Sequence, residues 1–212
     1  TTTNKPDLKP ALFGLSSSTS VNEPGQKVTV EWAIKNNGGA TAKTFLVTMR
    51  YSPDNVVDSG YPVLKTITVN GLGAGVRIPA SGSKKVSVTV PTNAVGGKRY
   101  LGFLIDHDNQ VDELHEDNNS VELPVTIKQA KGSACTTSGQ CKSGKCVDGV
   151  CCNNACGSGS ASDCKACSIA AGGTVDGTCG PTTLGTVCRA SQGVCDVAEA
   201  CSSSSTSCPA DG

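Results

Sequence analysis

Aromatic side chains are scarce: there are seven in 212 residues, all between Phe13 and Phe103. That is too few to fill one continuous core in a chain of this length. Cysteine is missing altogether before Cys135, and all thirteen cysteines then fall between Cys135 and Cys208. The sequence therefore divides into a first part with an ordinary apolar core and a second part, without any aromatic residue, that must be cross-linked. Excess charge of one sign is also absent, since 18 basic residues balance 18 acidic ones. With no basic stripe and no aromatic stacking platform, nucleic acid is not an expected partner. No apolar run approaches the roughly 20 residues that a membrane span needs, so no span is expected either. Thr1 does not open a signal peptide, yet a cytosol would keep so many cysteines reduced. The expected setting is extracellular or cell-surface, with a secretory leader already removed. Catalytic constellations are missing too: there is no Gly-x-Ser-x-Gly elbow, no phosphate-cradling loop, and only two histidines. Neither an enzyme nor an organic cofactor is expected.

What the first part does have is a period of two. Val28, Val30, Trp32 and Ile34 alternate with Lys27, Thr29, Glu31 and Lys35, and the run stops at Asn36-Asn37-Gly38-Gly39. This is a half-buried strand followed by a turn. The pattern recurs at Phe45 to Tyr51, Ile67/Val69, Val86 to Val90, Tyr100 to Ile105 and Val121 to Ile127, and Leu8 to Leu15 precedes them. The expected fold is mainly β, a seven-stranded immunoglobulin-like antiparallel sandwich followed by a small disulfide-rich, loop-dominated domain. Lacking an inter-sheet disulfide, the sandwich is expected to use Trp32 as its central packing volume. The domain boundaries read as a flexible arm over 1–5, the sandwich over 6–127, a polar linker over 128–134 and the cysteine-rich domain over 135–212.

Five motifs in order, Pro6-Asp7-Leu8, Glu23-Pro24-Gly25-Gln26-Lys27-Val28-Thr29-Val30, Lys35-Asn36-Asn37-Gly38, Gly71-Leu72-Gly73-Ala74-Gly75 and Asp106 through Asn119, resemble the CARDB family, the cell-adhesion-related domain of bacteria. The resemblance implies an immunoglobulin-like sandwich in surface or secreted proteins, usually as one module of a larger chain, with no enzymatic activity.

The segment from Asp106 to Glu122 carries seven carboxylates and no Lys or Arg. Such a cluster repels itself unless something positive sits in it. Calcium takes six to eight oxygen ligands of this kind, and the candidate ligands are Asp106, Asp108, Asp112, Glu113, Glu116, Asp117 and Asn118. Val111 stands where an EF-hand loop needs glycine, so this is no EF-hand. The alternative is a solvated connection in which Asn118 and Asn119 set a turn. His107 and His115 without a paired cysteine make a poor transition-metal site.

In the second part, Cys135, Cys141, Cys146, Cys151, Cys152, Cys156, Cys164, Cys167, Cys179, Cys188, Cys201 and Cys208 are the expected disulfide formers. With so little apolar area, cross-links must offset the entropy of ordering. Twelve cysteines allow on the order of 10⁴ connectivities, so pairs stay open. Only adjacent Cys151 and Cys152 are constrained: disulfide geometry disfavours bonding neighbours, so they should clasp different parts of the domain. Cys164-Lys165-Ala166-Cys167 has half a zinc site's spacing, but no second pair and no histidine follows.

Cys141-Lys-Ser-Gly-Lys-Cys146-Val-Asp-Gly-Val-Cys151-Cys152-Asn-Asn-Ala-Cys156 resembles cysteine-rich segments of myxobacterial surface proteins. Gly185 through Cys201, continuing to Cys208-Pro-Ala-Asp211, is similar to the C-terminal part of disintegrin-like domains. The latter resemblance implies an adhesive loop between Cys188 and Cys201, with Arg189, Ser191, Gln192, Gly193 and Val194 as candidate contacts, although no Arg-Gly-Asp occurs. It also implies that Cys195 is the odd cysteine, free or bonded to another chain. The functional expectation is a non-enzymatic extracellular structural or adhesive protein of a bacterial surface, able to self-assemble into a fibre, with copies of itself or other surface or matrix proteins as partners. The alternative is a non-catalytic accessory binding region of a larger secreted hydrolase.

Overall fold

A computed structural model describes residues 4–16 and 23–211. The chain forms two compact units, Thr1–Ala94 with Lys98–Ile127, and Lys128–Gly212 with Val95–Gly97. The first is a sandwich of strands β1 (Leu8–Leu15), β2 (Lys27–Asn36), β3 (Ala42–Ser52), β4 (Val63–Leu72), β5 (Arg77–Ile78), β6 (Lys84–Thr89), β7 (Gly97–Ile105) and β8 (Ser120–Ile127). One sheet has the order β1-β2-β5, with β6 also paired to β2; the other runs β4-β3-β7-β8. The seven expected strands are all present, and the short β5 adds an eighth that its two residues were too few to signal.

Alternation in β2 buries Val28, Val30, Trp32 and Ile34, which meet Phe45, Val47 and Met49 of β3 and Phe103 and Ile105 of β7 in one apolar core. Trp32 is 3% exposed. Its ring lies 5.9 Å from that of Phe103, which in turn stacks on Phe13 at 5.1 Å. Burial of large apolar groups from both sheets thus replaces the missing inter-sheet disulfide.

The turn after β2 is fixed by a buried amide. Asn36 Oδ1 accepts from Asp7 N and Gly38 N, both at 3.0 Å, while its Nδ2 donates to Ala40 O at 2.8 Å and Leu72 O at 2.9 Å. All hydrogen-bonding capacity of a fully buried side chain is thereby used, which ties β1, the turn and the end of β4 together. Gly38 packs so closely that a Cβ there would lie 2.3 Å from Lys5 O and 2.5 Å from Asp7 N. The supposed arm over 1–5 is therefore anchored at its end: Gly39 N donates to Lys5 O at 3.0 Å. Residues 1–3 of that arm lie outside the described residues.

The second unit contains short helical turns and two- or three-residue hairpin strands: β9 (Cys146–Val147) with β10 (Val150–Cys151), β11 (Lys165–Ala166) with β12 (Gly180–Pro181), and β13 (Val187–Arg189) with β14 (Glu199–Ala200). Six disulfides join Cys135–Cys146, Cys141–Cys151, Cys152–Cys167, Cys156–Cys179, Cys164–Cys201 and Cys188–Cys208. They pack two by two into three small cores, one around Cys135, Cys141 and Cys151, one around Cys152, Cys156 and Cys167, and one around Cys164, Cys188 and Cys201. Adjacent Cys151 and Cys152 reach into different cores. Cys164 and Cys167 are both oxidised, which removes the zinc half-site.

Residues 128–134 are not a spacer. Gln129 N donates to Gln140 O at 2.6 Å, Lys142 N to Gln129 O at 3.0 Å, and Gly132 N to Cys151 O at 2.9 Å. A unit with little apolar area draws on backbone hydrogen bonds from any polar segment that reaches it, and composition alone does not distinguish that use from solvation.

Gly38→Ala is expected to destabilise the sandwich by at least about 2 kcal/mol, because the added methyl meets backbone rather than movable side chain. Urea unfolding followed by Trp32 fluorescence measures it, and a shift of only a few tenths of a kcal/mol would contradict this packing. Reduction is expected to unfold the cysteine-rich unit while the sandwich persists, each lost bridge costing about 2–5 kcal/mol. NMR with and without reductant checks this through dispersed amide signals, which should survive for residues 7–127 alone.

Candidate functional site

Asp106, the first residue after β7, has a left-handed backbone, φ 49°, and Asn109 repeats that conformation at φ 50°. The chain thus leaves the sheet sharply at Asp106, a conformation that Asp and Asn tolerate better than most residues. The Asp106 carboxylate then holds the loop, accepting Gln110 N at 3.1 Å through Oδ1 and Val111 N at 2.8 Å through Oδ2. Val111 turns inward and joins the apolar core. The position that argued against an EF-hand is thus an anchor.

Glu113 is a second buried carboxylate, 3% exposed. Its Oε2 accepts Leu8 N at 2.5 Å, its Oε1 accepts Asn119 Nδ2 at 2.9 Å, and its own N–H donates to Glu116 Oε1 at 2.8 Å. The loop is further tied by Leu114 N donating to Pro6 O and by Asn118 Nδ2 donating to Asp7 Oδ1, both at 2.8 Å. Asp112 is exposed and pairs with Lys5 Nζ. The positive charge missing from the segment is therefore supplied to Asp112 from across the sequence. Asp108 accepts from Gln110 Nε2 at 2.6 Å.

The seven candidate ligands are thus divided. Asp108, Asp112 and Glu113 are engaged with protein groups, as are Asp106 and one oxygen of Glu116, whereas Asn118 donates through Nδ2 and its Oδ1 is buried without a partner. Asp106, Glu116 and Asp117 line a cavity of about 300 Å³ together with His107, Asn109, Asn119, Val57 and Ser59. His115, the other histidine, is exposed. Asn119, which the sequence reads as half of an Asn118-Asn119 turn, lines the same cavity.

Burial pushes the Glu113 carboxyl up to about 7, with the nearby charges of Glu116 and Asp106 adding to the rise and the hydrogen bonds from Leu8 and Asn119 opposing it. Burial also raises Asp106, against its two backbone hydrogen bonds.

The second candidate region is the loop joining β13 to β14, held at its base by Arg189. The guanidinium lies 3.1 Å from Glu199 Oε2 and 3.5 Å from Asp211 Oδ1, and it also donates to Pro209 O. The carboxylates of Asp196, Glu199 and Asp211 lie within 4.8 Å of one another, and Arg189 is paired with the latter two. Beyond it Ser191, Gln192, Gly193 and Val194 are exposed, and the Asp196 carboxylate accepts Gln192 N. Cys195 is exposed and unpaired within the chain. Cys188 and Cys201 are not bonded to each other; each is bridged elsewhere, and strand pairing closes the loop.

The first unit is therefore an immunoglobulin-like sandwich whose buried polar groups serve its own turns, and no nucleophile and base are brought together in the acidic loop. Residues 5–123 match the CARDB family, and the chain belongs to that family. Among solved structures it is similar to the CARDB domain of a Pyrococcus furiosus protein in complex with di-metal ions, at 22% identity and TM-score 0.41, covering 58% of this chain and 89% of that one. It is similar also to residues 272–376 of a candidate cell surface protein from Methanosarcina acetivorans, at 23% identity and TM-score 0.40, covering 59% of this chain and 94% of that one. A likeness to β-glucosidase 3B of Thermotoga neapolitana, at 12% identity and TM-score 0.35, covers 57% of this chain and only 16% of the enzyme. No curated protein matches the sequence. Among the described residues, no helix is long and apolar enough to cross a membrane.

A carboxyl whose folded pKa lies above its ordinary value adds stability that is fully present at low pH and is lost as pH rises through the folded pKa. Glu113 should therefore make the sandwich less stable as pH rises through about 7. Urea unfolding of the full chain across that range should show the decline, and Glu113→Gln should flatten it. An equal decline in the variant would assign the effect to other groups.

Proposed function

We propose that the chain is a non-enzymatic extracellular surface module, structural or adhesive in role, that is joined covalently to a second protein through Cys195. The observation that carries this reading is parity resolved in space: twelve cysteines pair among themselves, and the thirteenth is exposed on a loop that no bridge closes. Membership of the CARDB family and the six disulfides support a surface or secreted setting. There the exposed thiolate attacks a small-molecule disulfide and releases one thiolate, and the Cys195 thiolate of a second chain then displaces the other, so that the small disulfide is reduced to two thiols as the Cys195–Cys195 bond forms.

A second copy of the chain is the partner favoured here, because the residues flanking Cys195 suit a self-complementary contact. Val194 and Val197 are fully or largely exposed, and pairing two such loops covers both. One thiol joins two chains and no more, so growth into a fibre needs a further contact. The outer edges of β4 and β8, which end their sheet, are among the edges able to add strands from a neighbour.

Oxidised full-length protein is expected to run as a reductant-sensitive dimer that Cys195→Ser converts to monomer, with Cys195–Cys195 peptides found by mass spectrometry without reduction. A Cys195 bridged to its own chain, or left as a stable free thiol under the same conditions, would reject the covalent reading. Stable monomers would then favour the accessory-module alternative.

A further inference from the structure

The outer face of the sheet built on β2 carries a row of like charges. Lys9 of β1 stands directly opposite Lys35 of β2, and Lys35 stands opposite Arg77 of β5. Their neighbours Leu8, Ile34 and Ile78 turn into the core. All three basic side chains therefore lie on the other face, where Lys35 is exposed and Lys9 and Arg77 are partly so. The three are far apart in the sequence and become a row only when the strands pair. Like charges directly opposite one another destabilise a sheet unless something answers them. Among the described residues, none of the three has an acidic partner. Glu31, the only acidic residue in β1, β2, β5 or β6, is committed to Lys85 at 3.2 Å and to Ser83 Oγ at 2.9 Å.

We propose that this row binds an acidic polysaccharide, whose carboxylates lie across the three strands. Neighbouring strands are about 4.8 Å apart, so the row spans about 10 Å and suits an extended polyanion better than one small ion. Arg77 is prepared for such a contact. Its guanidinium donates to Pro79 O at 2.6 Å and to Gly82 O at 2.7 Å, which holds the group in place and leaves further N–H donors for a carboxylate. Lys9 and Lys35 add point charges on flexible stems beside it. The same face suits other polyanions less well. Phe13 and Trp32, the aromatic residues of these strands, pack against Phe103 in the core, so no platform remains for stacking bases. Leu12 is the only large apolar side chain exposed on these strands, too little to enter a bilayer. The choice of a carbohydrate rests on the surface or secreted setting proposed above, and not on the covalent bond through Cys195.

The test uses the full chain with Cys195 alkylated, so that no dimer adds avidity. The probe is a galacturonate hexamer, with maltohexaose as its uncharged counterpart. Calorimetric titration should show binding of the first and none of the second, and salt at about 1 M, where charges are screened beyond about 3 Å, should abolish it. Combining Lys9→Gln with Lys35→Gln, which leaves Arg77 to hold its turn, should weaken binding at least about tenfold. Lys65→Gln, which removes an exposed charge from the other sheet, should leave affinity unchanged. Independently of any variant, the backbone amide signals of Lys9, Lys35 and Arg77 should move when the hexamer is added. No binding of the hexamer, binding that survives salt or the double variant, an equal loss in Lys65→Gln, or amide shifts confined to other residues would each overturn the assignment. So would tighter binding of single-stranded DNA of equal charge or of phosphatidylglycerol vesicles.

Discussion

The backbone of Asp7 and Leu8 is the point on which the sandwich's loops depend. Asp7 N donates to the buried Asn36 amide, Asp7 O accepts from Asn37 N, and Leu8 N donates to the buried Glu113 carboxylate. Two residues at the mouth of one strand thus receive the turn after β2 and the acidic loop before β8, segments some eighty residues apart in the chain. The two contacts to Asn36 and Glu113 use a side-chain oxygen inside the fold, where a hydrogen bond is strong and its loss leaves an orphan donor. The turn glycine and both buried acids follow from this arrangement. Gly38 is required because the Lys5–Asp7 backbone passes too close for a Cβ.

The two units reach stability by different routes. In the sandwich, apolar residues two apart on facing sheets form one core, and the polar network only sets its ends. In the cysteine-rich unit there is no such core, and its place is taken by three small ones, each built from two interleaved disulfides. The bridges also connect the cores: Cys164, bonded to Cys201, lies between Cys152 and its partner Cys167 in sequence. Because a longer closed loop removes more unfolded-state entropy, the bridge from Cys164 to Cys201, with its sequence separation of 37, constrains the chain most.

Strands were legible because burial on one face leaves a period of two, as in Val28 to Ile34. Motif order was legible for the family. The fate of the acidic segment was not, because the same carboxylates serve as solvated charges, backbone caps or cation ligands, and only distance separates these roles. Composition placed Glu113 among ligands, whereas the fold commits it to Leu8 and Asn119. It marked the loop as lacking positive charge, whereas Lys5 arrives from the other end of the domain. The linker was misread for a related reason, since a polar segment hydrogen-bonded to a disulfide core has the same composition as one bonded to water.

The loop holding Cys195 shows how a unit so dense in cross-links keeps one segment free of them. Cys188 and Cys201 are held by bridges to Cys208 and Cys164, so the hairpin's base is fixed from outside and needs no bond across it. Arg189, paired with Glu199 and Asp211, locks the same base electrostatically. The residues at the tip, Ser191 to Cys195, are exposed and carry no bridge, as loops on a rigid scaffold commonly are. A thiol placed there can exchange without breaking a bridge that holds the fold, whereas one among the three cores would compete with native pairing. The topology of the bridges thus leaves the unpaired thiol outside the three cores that the disulfides build.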